Sequence, residues 1–227
     1  MQLSEEEGEL LVRLARKAVE TYLLKRETIS PPREVPKKLY EKSGVFVTIN
    51  KLVGTRRELR GCIGYPLPYK PLIEATIDAA ISAATRDPRF PPMALEELGQ
   101  VVFEVSVLTP PELITVKSPL EYPEKVKIGR DGLLIEAGPF SGLLLPQVAV
   151  EYGWSPQEFL SNLCMKAGLL PDCWYDEDVR IYKFTAIVYE ETSPKGEVVR
   201  RDLELSLIHI SEPTRPLYIS YAVFCLK

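Results

Sequence analysis

Histidine is almost missing from this chain: the one imidazole, His209, lies close to the C-terminus of 227 residues. Without it the body offers no Ser-His-Asp or Cys-His catalysis, no His-ligated zinc and no His-ligated haem. Acid–base work must come from Asp, Glu, Lys, Tyr or Cys. Cysteine is scarce too. Residues 62, 164, 173 and 225 form no C-x-x-C pair, so neither a disulfide framework nor a zinc knuckle is expected, and a reducing, cytoplasmic setting follows. No apolar run approaches the roughly 18 residues of a membrane span. The longest, from Leu143 to Val150, is interrupted by Pro146 and Gln147. The opening MQLSEEEGELL is acidic where a signal peptide is basic and then apolar. Neither G-x-x-x-x-G-K-[ST] nor G-x-G-x-x-G occurs, so phosphate-cradling loops of those kinds are unsupported. A net charge of −4, from 28 basic and 32 acidic residues, gives no general attraction to nucleic acid.

What is present is an ordinary globular balance, 45% apolar and 26% charged. Residues 4–25 read as an amphipathic helix: Ser4 and Glu7 make a capping box, and Leu10, Leu11, Leu14, Ala18 and Tyr22 share a face. Residues 27–36 hold three prolines and form a loop. Strands are expected at 45–49, 59–65, 101–108 and 180–190, and a helix at 72–86. In the middle of the chain, 125–128 and 133–137 flank Gly129-Arg130-Asp131-Gly132, which signals a hairpin because Asp-Gly suits a primed turn. A further strand is expected at 142–145, a helix from Pro146 to Tyr152, and a second capping box at Ser155–Glu158 opening a helix that ends near Gly168.

Strands separated by irregular helices, without βαβ regularity, indicate an α+β fold with antiparallel sheets. Residues 1–112 plus 179–203 are expected to form a large lobe and 113–178 a small inserted one, with a cleft at their junction. The segment 206–227 does not continue this pattern and reads as peptide translated from vector or adaptor DNA, the alternative being a genuine terminal strand.

Few residues offer chemistry. Leu59-Arg60-Gly61-Cys62-Ile63-Gly64 is the most unusual hexamer. On a regular strand Arg60 and Cys62 share a face, where the guanidinium would favour the thiolate. The opposing reading is a structural cysteine whose flanking glycines admit a neighbouring element. Arg86 and Arg89 flank a proline-stiffened loop and suit carboxylate or phosphate; alternatively Arg86 satisfies a helix end and Arg89 pairs with Asp87. Arg56, Arg57 and Arg60 cluster without interleaved aromatics, and Asp176–Asp178 is an acidic run that reads as a solvated turn sooner than a cation site. Trp154 either packs a lobe or lines a cleft rim. No metal and no cofactor is expected.

These residues resemble the AMMECR family, named for the Alport syndrome, intellectual disability, midface hypoplasia and elliptocytosis chromosomal region. The hexapeptide at 59–64 is its signature. Val45-Phe46-Val47-Thr48, Asp87-Pro88-Arg89-Phe90-Pro91-Pro92, Val105–Thr109, Leu145–Ala149, Glu151–Trp154 and Lys166–Gly168 match in order, covering about residues 8–203. The resemblance implies a two-lobed α+β protein with an antiparallel sheet in each lobe. It also implies that the hexapeptide faces a hinged cleft large enough for a macromolecule and not lined with positive charge. Two functions follow as expectations. One is a binding module that clamps a protein segment against Leu59, Arg60, Gly61, Cys62, Ile63 and Gly64, with Arg86, Arg89 and Trp154 nearby. The other is an enzyme acting on a protein or other bulky substrate, with Cys62 as nucleophile and Arg60 lowering its pKa. Nucleic-acid binding is the least favoured reading, and no membrane partner is expected.

Overall fold

The structure is a computed structural model that describes residues 3–54 and 56–201. The expected peculiarity of 206–227 lies outside the described residues. The chain is α+β, and it divides into two compact units. One runs to Leu108 and resumes over Ile187–Arg201; the other is Thr109–Ala186.

In the first unit, α1 (Glu5–Lys25) starts where the sequence indicates. The Ser4 hydroxyl accepts from the Glu7 N–H and the Glu7 carboxylate accepts from the Ser4 N–H. It ends when Arg26 turns left-handed and donates to the Tyr22 carbonyl. β1 (Gly44–Val53) and β2 (Arg56–Tyr65) make an antiparallel pair, followed by α2 (Leu72–Thr85) and β3 (Val101–Leu108). β3 pairs antiparallel with the other side of β1. Alternation sorts the faces: Val45, Val47 and Ile49 join Phe103, Val105 and Val107 in a core closed by Leu11, Val12, Ala15 and Val19 of α1 and Ile73, Ile77 and Ala80 of α2. Each of the Val, Leu, Ile and Phe side chains, once fully buried, contributes about 1.5–3 kcal/mol. The other face carries Phe46, Thr48, Cys62, Glu104 and Ser106.

The second unit contains β4 (Glu112–Leu113), α3 (Tyr122–Lys125), β5 (Asp131–Ala137), β6 (Phe140–Leu144), α4 (Pro146–Tyr152) and α5 (Pro156–Lys166). Its core joins Ile114, Leu133, Ile135, Phe159, Leu160, Leu163, Trp174 and Ile181. Ser155 and Glu158 form the anticipated capping box. β7 (Arg180–Glu191) belongs to both units, and β8 (Val198–Arg201) pairs with its C-terminal half.

Three expectations are corrected. The hairpin is β5–β6, turning at Gly138, and not 125–128 with 133–137. The Gly129–Gly132 stretch instead makes a turn in which the Asp131 carboxylate accepts from the Lys127 N–H at 3.0 Å, leaving no second strand to pair. Sheets separate to each lobe give way to one hydrogen-bonded path, β2-β1-β3-β7-β5-β6, because β7 is 12 residues long. Finally, Cys164 and Cys173 form a disulfide with Cα atoms 5.8 Å apart, tying α5 to the turn that carries Trp174. A separation of nine residues matches no motif, so only folding reveals the pairing.

Candidate functional site

The hexapeptide occupies the second half of β2, the outermost strand of the path. Its register slips once: Ile49 pairs with Gly61 and Asn50 with Leu59, so Arg60 is the extra residue of a bulge. The bulge corrects the expectation that Arg60 and Cys62 act together. Arg60 forks onto Glu97, Nε to Oε2 at 2.6 Å and Nη2 to Oε1 at 2.9 Å, and Nη2 also donates to the Pro91 carbonyl at 3.0 Å. This fork holds the Glu97 carboxyl below its ordinary range. A guanidinium committed to a bidentate pair is not free to activate a thiol two residues away.

The glycines are also explained from inside. A Cβ on Gly61 would run into the Ala83 carbonyl of α2, and one on Gly64 into the Val45 carbonyl and the Phe46 ring. Their small size lets the strand's own neighbours approach, as the structural alternative for the hexapeptide supposes, and does not keep an outer surface low.

Among the described residues Cys62 is the free cysteine, and it is half-buried. Its N–H points away from β1 and donates to Asp87 Oδ2 at 2.8 Å, and its carbonyl accepts from Arg89 Nη2 at 3.4 Å. Asp87 and Arg89 are locked together: Nε to Oδ1 at 2.9 Å, Nη2 to Oδ2 at 2.7 Å, with the Arg89 N–H reaching Oδ1 at 3.1 Å. Burial opposes ionisation of Asp87, but the hydrogen bonds from Arg89 and Cys62 outweigh it and hold the carboxyl below its ordinary value. A carboxylate and a guanidinium therefore stand where the next strand's backbone would be, and they satisfy the exposed edge at the centre of the motif. Phe90 lies between the two arginines, its ring centroid 5.8 Å from the Arg60 guanidinium and 5.5 Å from that of Arg89.

Because the Cys62 N–H faces outward, Thr48 and Cys62 form the closer type of antiparallel pair, without ladder bonds between them. The Thr48 hydroxyl donates to Sγ at 3.3 Å. Across β1, Thr48 stands opposite Glu104 of β3, so Cys62, Thr48 and Glu104 form one row on one face. Glu104 is 4% exposed. Burial pushes the Cys62 thiol up to about 11; Glu104 and Asp87 add to the rise, while the Thr48 hydroxyl and Arg89 oppose it. The arginine that acts on the thiol is thus Arg89.

Of the other candidates, Arg86 caps α2 through its backbone, donating to the Ser82 carbonyl at 2.7 Å, with its side chain exposed. Trp154 belongs to the second unit, where it stacks on Tyr152 with centroids 5.0 Å apart and sits 6.4 Å from Phe159. Glu104 and Thr48 escaped the sequence reading. The available signal was one glutamate inside the otherwise apolar run Val101-Val102-Phe103-Glu104-Val105. Among the described residues no group of three or more His, Cys, Asp or Glu is placed to hold a metal ion, and no helix is long and apolar enough to cross a membrane.

Comparison with known proteins agrees with the hexapeptide and its companions. The AMMECR1 family model matches residues 12–189. A protein of Thermofilum pendens is 60% identical over 209 residues, covering 89% of this chain and 98% of its own. One from Pyrococcus furiosus is 58% identical over 202 residues, covering 88% and 96%. The crystal structure of an uncharacterised protein from Pyrococcus horikoshii superposes with a TM-score of 0.85 at 56% identity, covering 89% of this chain and all of that one. The chain belongs to the AMMECR1 family.

Proposed function

We propose that this protein binds an extended segment of another protein along the outer edge of β2, with Leu59–Gly64 as the docking strand. One observation carries the reading. The outward N–H and carbonyl of Cys62, at the middle of the family hexapeptide, are held by the side chains of Asp87 and Arg89 and not by a strand. Side-chain contacts of this kind are exchangeable for the main-chain ladder of an incoming segment, the mode called β-augmentation. The loop carrying them holds Pro88, Pro91 and Pro92, which lack the N–H groups that would fix it as a permanent neighbouring strand. The matched charges Asp87–Arg89 and Arg60–Glu97 favour a protein segment over a phosphate backbone. The rival enzyme in which Arg60 activates Cys62 finds less support, since Arg60 is committed to Glu97 and the thiol is pushed up, not down.

Amide hydrogen exchange tests this. A partner recovered from native cell extract and added back to the whole chain should slow exchange across 59–65. Protection confined to other segments would overturn the reading.

A further inference from the structure

The row across β2, β1 and β3 supplies something the edge-binding reading does not use. We infer that Cys62, Thr48 and Glu104 form a proton path, along which the thiol gives up its proton to the carboxylate as the sulfur bonds to an electrophilic carbon. Two independent observations carry it. The Thr48 hydroxyl touches Sγ at 3.3 Å, and a hydroxyl both donates and accepts, so the same contact can pass a proton away from sulfur. Separately, a carboxylate is kept at 4% exposure on an inner strand, directly opposite Thr48 and on its face, although burying such a group is costly. Directly opposed side chains on adjacent strands stand about 4.5–5.5 Å apart at Cβ, close enough for a hydroxyl to serve both neighbours.

The step balances within the row. An Sγ–C bond forms and the carbon's bond to its leaving group breaks, the electron pair departing with that group. The Sγ proton moves to Thr48 Oγ1 while the Thr48 proton moves to Glu104. This answers the absence of histidine: the base is a glutamate reached through a hydroxyl. Among the described residues the charged groups around the thiol include Asp87 and Arg89 from the loop after α2, Glu104 from β3 and, 3.5 Å from Glu104, Arg201 from β8. Each negative charge faces a positive one, so the fitting substrate class is an uncharged carbon electrophile bearing an anionic leaving group.

Iodoacetamide is a probe of that class. Alkylation of the full chain is followed on the Cys62 peptide by mass spectrometry, at neutral pH and near pH 11. The path predicts that Glu104→Gln slows alkylation at neutral pH roughly tenfold or more and changes it by less than about twofold near pH 11, where the thiolate no longer needs a base. Simple electrostatics predicts the opposite sign. Removing a negative charge that raises the thiol pKa should speed the reaction, so an equal or faster Glu104→Gln overturns the inference. Should Glu104→Gln fail to fold, Thr48→Ser and Thr48→Val decide: Ser should keep the neutral-pH rate and Val lose it roughly tenfold, and equal rates would overturn the path. Neither result bears on amide protection at the β2 edge, so the two readings fail separately.

Discussion

Glu191 and Glu104 are buried carboxylates of the same unit, yet their surroundings differ in kind. Glu191 is fully enclosed and takes both arms of Arg16, Nε to Oε1 at 2.7 Å and Nη2 to Oε2 at 2.5 Å, together with the Phe103 N–H at 3.1 Å. Arg16 itself lies 4.7 Å over the Phe103 ring and donates to the carbonyls of Leu98 and Val101. Every group there is a permanent cation or a backbone dipole, so the region ties α1 to β3 and β7 and has no proton to exchange. Around Glu104 the neighbours include hydroxyls, Ser106 at 3.5 Å and Thr48 directly opposite with Cys62 beyond it, and one longer ion pair to the partly exposed Arg201 at 3.5 Å. The same residue type is a rivet on one side of the sheet and sits among labile protons on the other.

Breaking the rivet should cost most. Arg16→Met leaves Glu191 charged and buried with only the longer contact from Arg13 at 3.5 Å as an ion pair, and should lower unfolding free energy by about 3–5 kcal/mol, read as a fall in the urea midpoint. The second unit offers a covalent contrast. Reducing the Cys164–Cys173 disulfide releases a short closed loop and should cost about 2–3 kcal/mol, seen as an earlier thermal transition with a dithiol reductant. Gly61→Ala, on the hexapeptide itself, forces β2 away from the Ala83 carbonyl and should cost about 1–3 kcal/mol in the same denaturation experiment. A smaller effect sharpens the comparison through pH. The Cys62 thiol is raised to about 11 in the folded chain against about 8.5 in an unfolded one. Its contribution is therefore fully present below about pH 8.5 and is lost as pH climbs to 11. Stability measured over that window should fall less steeply in Cys62→Ser than in wild type.

Much of this was legible. The apolar alternation of Val45–Ile49 and the Ser4–Glu7 and Ser155–Glu158 boxes announced their elements, because each depends on neighbours within one turn or one strand. The hexapeptide could be placed on a strand, and the Asp87–Arg89 pairing was one of two readings open for that loop. What could not be read depended on partners far along the chain. The bulge that turns Arg60 to Glu97 comes from the pairing of β1 with β2, and Gly61 is required by Ala83 of a helix that follows. The role of Glu104 emerges only when β3 is laid beside β1, since no local pattern tells which residue stands opposite Thr48.

The most direct test of the contrast between the two carboxylates is a pair of matched substitutions, Glu191→Gln and Glu104→Gln, compared by urea unfolding of the whole chain. Glu191→Gln takes the bidentate carboxylate from the buried Arg16, leaving it the distant Glu20 at 4.0 Å, and should lose about 3–5 kcal/mol. Glu104→Gln should stay within about 1 kcal/mol of wild type, because its ion pair with Arg201 is long, 3.5 Å, and the arginine is partly exposed and can be rehydrated. A loss at Glu104 as large as that at Glu191 would contradict the account, making both glutamates rivets.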